Sequence, residues 1–141
     1  MVPSAYVHIP FCDSICAYCD FVRIQKNEQF FSSWKDTLIQ EIQEYKIENL
    51  HTLYFGGGTP SLLDVYDFTL IRNCFPKDID EFTVECNPES LDKDKLDAYV
   101  SLGVNRISLG VQSFKDDLLK ICNRKHTSDQ AKTVIQMIQS S

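Results

Sequence analysis

No stretch of the 141-residue chain approaches the roughly 20 consecutive apolar residues that span a bilayer, so a membrane helix is not expected. Residues 1–5 carry neither a basic segment nor a cleavable apolar stretch, which makes a cytoplasmic location the expectation. Basic clusters are also missing. With a formal charge of −6, nucleic acid is not an expected partner. No internal repeat or low-complexity segment appears. The 43% hydrophobic and 24% charged residues are instead those of an ordinary soluble domain, at a length that can bury one core.

Several familiar site signatures are lacking as well. A P-loop needs a Gly-Lys-Ser/Thr ending, and none exists. The consecutive glycines Gly56, Gly57 and Gly58 do not make the GxGxxG spacing of dinucleotide folds. There is no second Cys-x2-Cys pair to complete a structural zinc site, and His8 would serve as a fourth ligand only with awkward geometry. Six cysteines are present, three of them within eight residues. In a chain of alternating strands and helices, a disulfide framework is not expected. Cys74 and Cys122 fall on apolar faces of predicted helices and read as small hydrophobes.

The pattern along the chain is regular. Strands are expected at residues 6–9, 52–55, 82–86 and 104–109, each closed by proline, glycine or a polar turn. Between and after them, apolar residues recur at helical period. Helices are expected over residues 29–45, from a Ser61 cap to about 74, over 91–102 with Gly103 just beyond, over 116–122, and from Thr127 or Ser128 onward. Residues 11–20 read as a loop. Four βα units in this order imply an α/β fold with a parallel sheet and right-handed crossovers. A fifth strand would begin where residue 141 stands, so the expectation is part of a larger barrel-like fold.

The polar residues that packing does not explain all follow strands. In parallel α/β folds the C-terminal strand ends form the ligand face. Cys12, Cys16 and Cys19 follow the first strand with Cys-x3-Cys-x2-Cys spacing. Soft thiolates match iron, and three of them hold a [4Fe–4S] cubane while leaving one iron open. An open iron can chelate the amino and carboxylate groups of S-adenosylmethionine (SAM), which the cluster then cleaves reductively. The segment 56–60 follows the second strand and would let a ligand approach the backbone, though a tight strand-to-helix turn accounts for it equally. Glu85 ends the third strand, either as an acceptor for SAM or as a solvated carboxylate. Gln112 and Arg124 are weaker candidates when taken singly. His51 and His126 are not expected to be ligands.

Residues 6–12, with Cys16 and Cys19, resemble the opening of the oxygen-independent coproporphyrinogen III oxidase family of radical SAM proteins. Further blocks match in the same order, at residues 56–61, 85–89 and 105–114, and residues 123–127 look like a variant of the family's Gly-Arg-x-His block. The resemblance implies a partial radical SAM TIM-like barrel, with residues 1–141 as the N-terminal part of the core domain. It implies that Cys12, Cys16 and Cys19 bind the cluster, that Tyr6, Gly57 and Glu85 contact its SAM, and that Tyr18, Gly58, Thr59, Gln112 and Arg124 match positions contacting a second SAM. It assigns no residue a catalytic role. True oxidases carry a fourth cysteine two residues after the third. Here Cys19 is followed by Asp20 and Phe21, which resembles the heme-chaperone (HemW-type) branch. That branch implies heme, a reductant protein and a heme-accepting protein as partners. The oxidase branch implies a porphyrinogen substrate instead.

Overall fold

The computed structural model describes residues 4–141. Six strands and five α-helices follow one another as β1 (Ser4–Ile9), β2 (Phe11–Cys12), β3 (Ile24–Gln25), α1 (Glu28–Tyr45), β4 (Thr52–Gly57), α2 (Val65–Arg72), β5 (Glu81–Cys86), α3 (Lys93–Ser101), β6 (Arg106–Leu109), α4 (Asp116–Ile121) and α5 (Ser128–Gln139). Strands β1, β4, β5 and β6 form one sheet in that order, all parallel. Each crossover moves one place in the same direction. A doubly wound sheet would reverse at a switch point, so this is the winding of a barrel wall.

Register separates the two faces of the sheet. Val7, Phe55, Val84 and Ile107 are aligned on one face, and Tyr6, Tyr54, Thr83 and Arg106 on the other. The first face joins the core. Phe55, Phe68, Phe82 and Tyr99 are all but fully buried there, and Phe68 stacks on Tyr99 with ring centroids 4.2 Å apart. The second face is polar. Because side chains alternate along a strand, Tyr6, His8, Tyr54 and Glu85 share it.

Several element boundaries differ from the sequence expectation. Ser61 does not cap a long helix. It sits buried in a 3₁₀ turn (Pro60–Leu62), and Asp64 caps α2 by accepting from the Asp67 amide at 2.7 Å. Pro60 starts that turn before any α-helix can form. The next helix likewise begins after a second 3₁₀ turn (Pro88–Ser90), with Asp92 as its cap. Gly103 does adopt the left-handed conformation, φ 89°, after α3. The last strand starts at Arg106, not Val104, and Arg106 pairs with Glu81 at 2.9 Å. Residues 11–20 are not all loop, because β2 pairs in parallel with β3. Cys74 packs partly buried against the core. Cys122 is the C-cap of α4, half-buried. Among the described residues no helix is long and apolar enough to cross a membrane.

Candidate functional site

The C-terminal strand ends surround a cavity of about 310 Å³. Its walls include Cys12, Cys16 and Cys19 from the first strand end, Gly57, Gly58 and Thr59 from the second, Glu85 from the third, and Gln112 and Arg124 beyond the fourth. Tyr18 also lines it. Ten of the eleven residues singled out in the sequence therefore meet at one place, although they span more than a hundred positions. The exception is Tyr6, which stands beside the cavity. Its ring approaches the same side of Gly56 as the Glu85 carboxyl, and its hydroxyl donates to His8 Nδ1 at 3.1 Å.

Local hydrogen bonding explains the loop's shape. His8 Nε2 donates to the Val22 carbonyl at 2.7 Å, and the Ile24 amide donates to the Pro10 carbonyl, also at 2.7 Å, so the loop returns along β1 and β2. From the opposite side, the segment after α4 straps it down. Ala17 donates its amide to the Cys122 carbonyl at 3.3 Å, and Asn123 Nδ2 donates to the Ile15 carbonyl at 2.7 Å. Asn123 adopts φ 57°, a conformation asparagine tolerates better than most residues.

The cysteines differ in setting. Cys12 is buried, and Thr59 Oγ1 donates to its sulfur at 3.6 Å while accepting from Asn87 Nδ2 at 3.3 Å. Burial pushes the Cys12 thiol up, opposed by the Thr59 hydrogen bond. Cys16 and Cys19 are half-buried, and Arg124 Nη1 lies 3.5 Å from Cys16 Sγ. Burial also raises the Tyr18 phenol, against the pull of Arg124. Among the described residues no three His, Cys, Asp or Glu side chains converge as ligands of a single ion would. This is compatible with a cubane, which takes each thiolate at a different iron and so spaces them further apart.

The glycine segment acts through its lack of bulk. A Cβ on Gly58 would stand 2.6 Å from the Phe11 carbonyl oxygen, so only glycine lets this turn close behind Cys12. The Gly57 amide donates to Glu85 Oε2 at 3.0 Å, Gly58 to Ile9 at 2.7 Å, and Thr59 to Phe11 at 2.8 Å. These amides are engaged by the chain itself. The register to β5 ends at Phe55, which leaves Gly56 and Gly57 without ladder partners on that side. Glu85 is no solvated strand-end carboxylate. It is half-buried, and its other oxygen accepts from the Tyr54 hydroxyl at 2.7 Å. Tyr54, Asn87 and Arg23 are contributors that motif reading passed over. Asn87 lies inside a matched block, whereas Tyr54 and Arg23 carry no sequence signal of their own.

Three buried side-chain atoms find no partner among the described residues: Arg23 Nε, Arg124 Nε and Tyr99 Oη. The two arginines both line the cavity. Orphaned donors beside three thiols fit a site built for an anionic group and a soft metal centre.

A model of the radical SAM superfamily matches residues 6–141. The chain belongs to the radical SAM superfamily. Membership implies a [4Fe–4S] cluster and SAM as cofactors, and the donor set described above fits both. The heme chaperone HemW of Lactococcus lactis is 40% identical over 143 residues, covering 98% of this chain and 38% of the chaperone. Anaerobilin synthase of Escherichia coli O157:H7 is 37% identical over 135 residues, covering 88% of this chain and 30% of the synthase. The solved structure of the coproporphyrinogen III oxidase HemN from Escherichia coli, described as a radical SAM enzyme, superposes with a TM-score of 0.84 at 29% identity over 99% of this chain and 35% of the oxidase. The chain thus spans well under half the length of these relatives. They are consistent with the oxidase-like branch that its motifs resemble.

Proposed function

We propose that this chain is the cluster- and SAM-binding part of a HemW-type heme chaperone, working in the cytoplasm. The observation that carries the reading is the gathering of Cys12, Cys16 and Cys19 with Gly57, Glu85 and Arg124 around one cavity, in a chain where Asp20 and Phe21 follow Cys19 with no fourth cysteine. When bound, a [4Fe–4S] cluster with one open iron supplies an electron for reductive cleavage of SAM.

The chain's own residues would do the rest. Three thiolates anchor the cluster. Glu85, held by Tyr54 and Gly57, offers a fixed negative edge to the SAM ammonium or ribose. Arg124 and Arg23 bring positive charge to the same cavity. Tyr6 borders the Glu85 edge, while Tyr18, Gly58, Thr59 and Gln112 complete the wall where a second SAM would sit. Residues 1–141 would form the N-terminal part of the core domain. Heme binding and transfer to an acceptor protein would then need the rest of a longer protein, together with a reductant protein.

Anaerobic reconstitution tests the cofactor reading. A brown protein whose EPR signal shifts on SAM addition is expected, whereas a colourless protein holding one tight zinc would sink it. The similarity to HemN favours a second reading, radical decarboxylation of a porphyrinogen. Turnover of coproporphyrinogen by the full-length protein would favour that reading over the chaperone, and stoichiometric heme uptake without turnover would do the reverse.

A further inference from the structure

Behind the cysteine loop lies a buried polar cluster that anchoring a cofactor does not require. The His126 side chain is fully buried. Its Nε2 faces the Val111 carbonyl at 3.0 Å and its Nδ1 faces Glu89 Oε2 at 3.0 Å. A carbonyl only accepts, so Nε2 donates to Val111, which leaves Nδ1 to pair with the Glu89 carboxyl. The same Glu89 oxygen lies 3.7 Å from Arg124 Nη2. That nitrogen donates to the Gly110 carbonyl at 2.9 Å, while Nη1 reaches Cys16 Sγ. The Arg124 side chain is only 5% exposed. Three points therefore fix its guanidinium plane: a carbonyl, a carboxylate and a cysteine sulfur. His126 holds that same carboxylate oxygen, and α5, which His126 precedes, packs on the 3₁₀ turn carrying Glu89.

We propose that Glu89 and His126 are positioning residues that hold the Arg124 guanidinium against Cys16 Sγ, and through that contact set the electron affinity of the cluster Cys16 helps to bind. The inference rests on the reading of Cys16 as a cluster ligand. Hydrogen bonds and positive charge at a ligating sulfur favour the reduced cluster and raise its potential. The sign of the Glu89 effect then discriminates between two roles. If its charge acted only through space, Glu89→Gln would raise the potential by removing a negative group. If Glu89 positions Arg124, the same variant releases the guanidinium from Cys16, and the potential falls as it does in Arg124→Met.

The test uses the full chain, reconstituted anaerobically, with cluster potentials measured by dye-mediated titration followed by EPR. Glu89→Gln, His126→Gln and Arg124→Met are each expected to lower the potential. The double variant Glu89→Gln/Arg124→Met should fall no further than Arg124→Met alone. Glu89→Asp, which keeps the charge but shortens the reach, is also expected to lower it, and serves should the neutral variant fail to fold. A rise in Glu89→Gln, additive shifts in the double variant, or an unchanged potential in Glu89→Asp would overturn the proposal. A wild-type protein that takes up no cluster would overturn both this inference and the reading beneath it, whereas a wild-type cluster with unmoved variants overturns only the inference.

Discussion

Cys16 and Cys74 are both half-buried thiols, yet one lines the cavity and the other packs against the core. Their substitutions should therefore separate. Cys16→Ala is expected to abolish cluster assembly, read as iron and sulfide content after reconstitution, because two thiolates hold a cubane poorly. Cys74→Ala should leave iron content intact and cost on the order of 1 kcal/mol in a denaturant titration. Gly58 offers a second test at this scale. A methyl group there would meet the Phe11 backbone, which cannot move without shifting Cys12. Gly58→Ala is expected to cost about 1–3 kcal/mol and to reduce iron uptake together with stability. The cysteines and glycines were legible because their chemistry lies in residue type and spacing. Tyr54 was not, since a tyrosine on a strand gives no hint that its hydroxyl will reach a carboxylate 31 positions away.

At the scale of elements, helix starts depended on which polar residue found an amide within reach. Ser61 has the residue type of a cap, but its hydroxyl pairs with Ser90 and accepts from the Asn87 amide at 3.1 Å, tying two 3₁₀ turns together below the cavity. Asp64→Ala is therefore expected to cost about 1 kcal/mol as a lost helix cap, read from the urea midpoint. Arg72 is the element-scale residue that sequence periodicity hides. It ends α2, buried, with no carboxylate partner among the described residues, and donates to the carbonyls of Leu102, Phe75, Pro76 and Lys77. It thereby joins the ends of α2 and α3 under the sheet. Burial lowers its pKa. Replacement by methionine would strand those acceptors at about 1–3 kcal/mol for each carbonyl left unsatisfied, so Arg72→Met should destabilise the chain well beyond Asp64→Ala in the same titration.

For the molecule as a whole, the buried acids of the core set an alkaline limit. Burial pushes the Cys86 thiol from its ordinary 9.0 up to about 12, and the Tyr99 phenol is driven upward for the same reason. Both groups are neutral when protonated, and their folded values lie above their unfolded ones. The stability Cys86 supports is thus complete below about pH 9 and is lost as pH rises from there through about 12, and the part Tyr99 supports is lost at higher pH still. Urea midpoints measured at rising alkaline pH should fall over that window, and Cys86→Ala should remove the part of the fall that begins near pH 9.

The alternation of strands and helices, the parallel sheet and the address of the ligand face were determined by sequence, because period and turn residues act locally and strand ends follow from them. The cofactor class was legible too, since Cys-x3-Cys-x2-Cys supplies three thiolates whatever surrounds them. Tertiary structure alone decided the rest. Only folding sets Gly57 and Tyr54 on the two oxygens of Glu85, runs the strap of residues 122–126 over the cysteine loop, and joins His126, Glu89 and Arg124 into one buried cluster. These contacts pair residues 28 to 108 positions apart. Their partners are chosen by the register of the sheet and the packing of α5, which no local pattern encodes.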